Sequence, residues 1–244
     1  MFIYSNGLII RKKWPRLLNF VGSDTQDNYN KNLKTMPLNW YYKDKTIEYN
    51  YNSFGFRSKE FSEINYENYI ICIGCSFTEG VGLENKFIYP NLLADYYNTD
   101  LVNLGMGMIG NDCVTSNLLS FYSANIKPKF VICQWPDPSR LLIRFQKQDL
   151  GPFGVWTNEN SIKTLISISN LTGYEYTKFE LFFNLIQHII KVPIVHITLD
   201  TRIKFPIGNT VYFNKIDQAR DNHYGILSHN ILTQQIVKEL KSLL

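Results

Sequence analysis

The apolar residues are unevenly spread along the chain. After residue 68 they gather into short continuous runs, separated by stretches with helical spacing. Tyr69-Ile-Ile-Cys-Ile73 is the clearest run, stopping at Gly74, and it has the pattern of a strand covered on both faces of a parallel sheet. Asp100–Leu104, Lys129–Trp135 and Val192–Leu199 read as the second, third and fourth strands. Between them, Glu84–Asn98 places Phe87, Leu92, Leu93, Tyr96 and Tyr97 at helical spacing, with Pro90 as a kink or first-turn residue. Cys113–Ala124 reads as a helix capped by Asn111, Tyr176–Ile190 as a long apolar helix, and Gly225–Leu244 as a closing helix with Ile231, Ile236, Val237 and Leu240 inward. Strands that alternate with helices predict an α/β domain whose parallel sheet is covered on both faces, with ligands at the carboxyl ends of the strands.

Two stretches break the alternation. Residues 1–66 lack sustained periodicity and read as a loop-rich extension packed on a domain spanning 67–244. Within them, Gly22–Asn28 is a polar turn cluster, Thr46–Tyr51 a strand and Asn52–Arg57 a surface turn. Arg140–Gly173 is irregular and reads as an insertion over the site.

Composition narrows the function classes. A chain of 244 residues with 45% hydrophobic and 19% charged residues fits one large folded domain, and is neither a disordered chain nor a membrane protein. The +4 charge is spread thinly, which argues against a nucleic-acid partner, and the cluster Arg11, Lys12, Lys13 and Arg16 reads as solvated surface. At the amino terminus an apolar stretch precedes the basic one, the reverse of a secretory signal. No run approaches the ~18 apolar residues of a membrane span, so the expected location is the cytoplasm. Cys72-Ile-Gly-Cys75 matches C-x-x-C only formally, because Cys72 falls inside the strand; it and Cys133 read as core residues.

The candidate chemistry lies at the strand ends. Ser76 follows the first strand in a turn bounded by Gly74, Gly80 and Gly82, where a hydroxyl can stand clear of the backbone. A serine needs a base, and the base an orienting carboxylate. Of the four histidines, His188 and His196 lie in apolar segments and His229 in a helix, whereas His223 lies in a polar loop two residues after Asp221. Ser76, His223 and Asp221 are therefore the expected triad. The backbone N–H of Ser76 and one from the Gly105–Gly110 loop are expected oxyanion donors, with the side chains of Asn111 and Gln134 as further donors. Asn52, Arg57 and Arg140 are possible supporting residues.

Taken together, these segments resemble the SGNH, or GDSL-type, hydrolase family. Gly74-Cys-Ser-Phe-Thr78 is similar to the family's first block, Asn103-Leu-Gly105 to the second, Ala219–His229 to the last, and Asn52–Arg57 to a segment found ahead of the serine block. The resemblance runs in order from about Tyr51 to the end. It implies a flavodoxin-like three-layer α/β/α sandwich with a central parallel sheet. It also implies ester hydrolysis, commonly deacylation of carbohydrates or lipids, without metal or organic cofactor. The chain departs from the pattern in three places: Arg220 stands where the Asp is expected; the second-block glycine that supplies an oxyanion N–H falls near Met108, so that Gly107 is the expected donor; and Gln134–Arg140 replaces the Gly-x-Asn-Asp block. These mark a divergent subgroup.

Two other readings remain. A binding or structural module could keep the fold without activity. The pattern Gly105-x-Gly107-x-x-Gly110 could bind a dinucleotide, but no acidic residue ends the next strand. The expected partner is a small or carbohydrate ester.

Overall fold

The computed structural model describes residues 2–5, 7–11, 13–145, 149–153, 160, 163–164, 167–168, 173–199, 203 and 209–244. In chain order the elements are β1 (Phe2–Ser5), β2 (Leu8–Arg11), β3 (Leu17–Leu18), α1 (Gln26–Thr35), β4 (Tyr49–Asn50), β5 (Tyr69–Ile73), α2 (Ser76–Glu79) and α3 (Tyr89–Tyr97). They continue as β6 (Asp100–Asn103), α4 (Asn111–Ala124), β7 (Val131–Trp135), β8 (Leu141–Phe145), β9 (Asp149–Phe153), α5 (Tyr174–Ile189), β10 (Ile194–Thr198), β11 (Thr210–Tyr212) and α6 (Ile226–Leu240).

The central sheet is parallel with the order β6-β5-β7-β10-β11. Counted along the domain this is 2-1-3-4-5, the flavodoxin-like doubly wound order. Side chains of β5 and β7 alternate between two cores, as the period of two in a strand requires. Ile71, Ile73, Val131 and Cys133 face α4 and α5, where Val114, Leu118, Phe179 and Phe183 receive them. Ile70, Cys72 and Ile132 face α3 and α6, against Leu93, Leu232 and Ile236. A fully buried central pair of strands explains why their sequences read as unbroken apolar runs.

Several expected boundaries shift. The helix expected from Glu84 starts at Tyr89 with Pro90 in its first turn, where proline's missing N–H costs nothing, and a 3₁₀ turn at Asn85–Phe87 precedes it. Asn111 is the first residue of α4, and its cap is Gly110. The strand expected over Thr46–Tyr51 shrinks to Tyr49–Asn50, paired with Leu17–Leu18. The Asn52–Arg57 turn is an interior one: Asn52, Phe56 and Arg57 are buried. His188 is exposed.

The larger departures lie in the two stretches without periodicity. β1 pairs antiparallel with β2, and β8 with β9 in a stretch expected to be irregular; the two pairs join as the antiparallel sheet β2-β1-β9-β8. The expected turn cluster at Gly22–Asn28 runs into α1, whose cap Thr25 accepts the Asn28 N–H at 3.1 Å. A third apolar cluster unites Val21, Tyr42, Ile47, Tyr49 and Tyr51 with Val81, Leu83, Ile88 and Ala219. Early residues thus pack directly on the loops that follow β5 and precede α6. No helix among the described residues is long and apolar enough to cross a membrane.

Candidate active site

Strand β5 ends at Ile73 and the chain turns at once into the single-turn helix α2, so Ser76 stands at the carboxyl edge of the sheet. The turn is tight because Gly74 has no side chain. A Cβ there would lie 2.3 Å from Thr78 Oγ1 and 2.6 Å from Gln134 Oε1. Gly80 closes α2 with φ +78°, a conformation L side chains rarely adopt.

Against this turn lies the loop before α6. The Ser76 hydroxyl is 2.7 Å from His223 Nε2, and His223 Nδ1 is 2.6 Å from Asp221 Oδ2. Asp221 Oδ1 accepts the His223 backbone N–H at 3.0 Å, which absorbs the two-residue spacing between them. Burial alone would raise the Asp221 pKa, but the imidazole and the hydroxyl of Ser23, which donates to Oδ2 at 2.7 Å, hold it below the ordinary carboxylate value. The imidazole is 15% exposed and its ring centroid lies 4.9 Å from that of Phe77. The other interior histidines are occupied elsewhere. His196 Nδ1 accepts the indole N–H of Trp135 at 3.0 Å and His229 Nδ1 accepts the Tyr89 N–H at 2.9 Å. Burial lowers the pKa of each to about 3, so both are neutral at pH 7.

Beside Ser76 opens a cleft of about 450 Å³, lined by Cys75, Phe77, Gln134, Trp135, Pro136, Asp137, Arg140, Leu199, Asn214 and Tyr224. Trp135 contributes little open surface, being 1% exposed. Arg140 lies on the wall and donates to Ile109 O at 3.3 Å.

The residues expected to supply oxyanion donors divide. Gln134 braces the turn: its Oε1 accepts the Cys75 N–H at 2.9 Å and its Nε2 donates to Trp135 O at 2.7 Å. Gly107 does not offer its N–H to the cleft, because the carboxylate of Glu79 accepts it at 2.5 Å. Gly105 N donates to Asn103 Oδ1 and Met106 N to Gly74 O, so these three donors of the glycine loop are spent inside the protein and form no phosphate cradle. Met108 follows with φ +72°, the left-handed conformation that a glycine would adopt without strain. The side-chain amide of Asn111 is buried and meets no partner among the described residues. Asn52 Oδ1 accepts Phe54 and Phe56 N–H, and Arg57 donates to Gly80 O and Leu83 O at 2.7 and 2.9 Å.

Several supporting residues escaped the sequence reading. Arg11, expected in solvent, is buried and forms a two-pronged ion pair with Glu79, Nη1–Oε1 2.6 Å and Nη2–Oε2 2.7 Å. Tyr51 OH also donates to Glu79 Oε1. Burial would raise the Glu79 pKa, but Arg11 first, then the bonds from Tyr51 and Gly107, leave it depressed. Asp24 holds Arg220 through Nε–Oδ1 2.8 Å and Nη2–Oδ2 2.7 Å, with both side chains buried. The hairpin signal Asn6-Gly7 between two apolar runs would have placed Arg11 at an inward strand end.

No family model matches the chain, and no curated protein matches it in sequence. Among solved structures it is similar to an acetyl xylan esterase from the rumen bacterium Butyrivibrio proteoclasticus, at 14% identity over 72% of this chain and 64% of that one, TM-score 0.44. It is similar also to a carbohydrate esterase family 2 enzyme with a carbohydrate binding domain from Corynascus thermopiles (Myceliophthora fergusii), at 13% identity over 72% and 67%, TM-score 0.41. A third is a putative lipolytic protein of the G-D-S-L family from Desulfitobacterium hafniense, at 14% identity over 70% and 99%, TM-score 0.35. The chain spans 64% of the length of the acetyl xylan esterase. These solved structures are thus carbohydrate esterases and G-D-S-L lipolytic proteins, at low sequence identity.

Proposed function

We propose that the protein is a serine esterase that removes or transfers an acyl group carried by a carbohydrate or another small ester. The observation that carries this reading is the continuous hydrogen-bonded line from Ser76 Oγ through His223 to Asp221, at 2.7 and 2.6 Å, next to a cleft lined by Cys75, Phe77 and Tyr224, the chain neighbours of Ser76 and His223. In that geometry His223 Nε2 takes the Ser76 proton as Oγ attacks the ester carbonyl, and Asp221 holds the opposite N–H and stabilises the imidazolium. The tetrahedral oxyanion collapses, the carbonyl–alkoxide bond breaks, and His223 returns the proton to the departing alcohol. Water, or an acceptor alcohol, then gives its proton to His223 and attacks the acyl-serine, and Ser76 leaves with a proton from the imidazolium.

Oxyanion donors in this reading are the N–H groups of Ser76 and Met108. Neither is bonded within the protein among the described residues, and Gly107, next to Met108, packs so that a Cβ on it would lie 3.6 Å from Ser76 Cβ. The Met108 conformation is therefore part of the site, and its strain belongs with those found where backbone donors are aimed at a substrate.

The test is release of p-nitrophenol from p-nitrophenyl acetate by the parent and by Ser76→Ala and His223→Ala. Each substitution is expected to lower kcat/KM by at least ~10³-fold, with the secondary structure unchanged by circular dichroism. A parent protein that turns over none of a panel of acetyl esters and acetylated glycans would favour an inactive binding module on the same fold.

A further inference from the structure

Ser23 and Asp24 lie almost 200 residues before the His223 loop in sequence, yet both bond it directly. Ser23 Oγ donates to Asp221 Oδ2 at 2.7 Å, the oxygen that also receives His223 Nδ1, and stands 3.3 Å from Nδ1 itself. One residue on, Asp24 grips the guanidinium of Arg220 with both oxygens. Arg220 immediately precedes Asp221, is 2% exposed, and lies over Phe20 at 4.5 Å from the ring centroid. Its N–H donates to Gly82 O and its carbonyl accepts Asn32 Nδ2. Asp24 in turn accepts Tyr49 OH, and Tyr49 OH accepts the N–H of Gly82 at 2.8 Å. A buried path thus runs from the loop that follows Ser76, through Tyr49 and Asp24, to the residue beside Asp221.

We infer that Ser23, anchored by the Asp24–Arg220 ion pair, is a positioning residue of the triad: it fixes the Asp221 carboxylate and sets how strongly that carboxylate holds His223. This inference rests on the esterase reading for its kinetic part and on geometry alone for its spectroscopic part. A carboxylate oxygen that shares itself between a hydroxyl and an imidazole N–H gives each less than it would give alone. Removing Ser23 concentrates the charge of Asp221 on His223 while freeing the carboxylate to rotate. Among the described residues the titratable groups that act with the imidazole are Asp221 on its own loop and His229 on α6; Asp217 acts on His229, and the Lys215 ammonium donates to the carbonyl of Asn222, next to His223 in the chain. Of these groups Ser23 bonds Asp221, and it also stands 3.3 Å from the imidazole Nδ1.

The experiment compares the parent with Ser23→Ala and Ser23→Thr in two measurements. In the first, kcat/KM for p-nitrophenyl acetate is followed from pH 5 to 9. Ser23→Ala should lose roughly 5-fold at the plateau and move the midpoint of the acid limb up by about half a pH unit, and Ser23→Thr should restore both. In the second, the Nδ1–H proton of His223 is observed by ¹H NMR; it should move downfield in Ser23→Ala and return in Ser23→Thr. Ser23 is exposed, so the thermal midpoint should stay near that of the parent. An acid limb and an Nδ1–H resonance that coincide in parent and Ser23→Ala would overturn the proposal. If the parent hydrolyses no ester but the resonance still moves, the esterase reading fails and the positioning role of Ser23 stands.

Discussion

Replacing Arg11 by Met would cut the ion pair beneath the glycine loop and strand a carboxylate in the core. Glu79 is fully buried, and among the described residues Arg11 supplies two of the four hydrogen bonds on its oxygens, the others coming from Tyr51 OH and Gly107 N. Removing one partner of a buried pair typically costs ~3–5 kcal/mol, because the remaining charge keeps its desolvation penalty without compensation. For a chain of this size each kcal/mol shifts the thermal midpoint by about 2–4 °C, so a fall of roughly 6–20 °C is expected at pH 7. The pH dependence identifies the cause. In the parent, Glu79 has a depressed native pKa, so its contribution is present above the ordinary carboxylate value and is lost as pH falls through the native one. In Arg11→Met, burial is left without the opposing cation and the native pKa rises, so the penalty grows as pH climbs through ~4.3 and disappears in acid. Urea unfolding followed by tryptophan fluorescence at pH 7 and pH 4.5 should show the gap between the two proteins narrowing at the lower pH. A pH-independent gap, or one below about 1 kcal/mol at pH 7, would refute the placement of a charged pair at this site.

Two further outcomes follow from other parts of the molecule. His196 and His229 are neutral in the folded protein and take up protons on unfolding, so their depressed native pKa values of about 3 stabilise the fold above ~6.5 and lose that contribution as pH falls toward 3; unfolding free energy should drop by ~2 kcal/mol per histidine between pH 7 and 5, and His196→Phe should flatten the slope. Gly74→Ala forces a methyl to 2.3 Å from Thr78 Oγ1, so the turn that carries Ser76 must shift; a loss of ~1–3 kcal/mol in denaturant titration should accompany a drop in ester turnover larger than the loss of folded protein explains.

What could be read from the sequence follows what the sheet buries. Strands β5 and β7 are covered on both faces, so Tyr69–Ile73 and Val131–Trp135 announce themselves as unbroken apolar runs. β11 has three residues, one of them exposed Tyr212; Thr-Val-Tyr favours a strand by residue type, but three residues are too few for a period to show. That Ser76, His223 and Asp221 come together could be anticipated from the sequence because a serine relay restricts residue types and the topology restricts their place. The two-residue Asp–His spacing is accommodated by the Asp221 Oδ1 bond to the His223 N–H. The supporting residues were hidden for a physical reason. Arg11 and Arg220 have the composition of solvent-facing residues, and only their distant partners, Glu79 and Asp24, make burial affordable. Separations of 68 and 196 residues leave no local trace of either pairing.

The central claim is that Ser76 is an acyl-accepting nucleophile activated by His223. It is tested most directly by exposing the parent, Ser76→Ala and His223→Ala proteins to a fluorophosphonate probe, then reading intact mass and mapping the modified peptide. The account predicts one adduct per chain on Ser76 of the parent, none on Ser76→Ala, and labelling slowed by at least ~10²-fold in His223→Ala. An unlabelled parent, or an adduct that persists in Ser76→Ala, would contradict it.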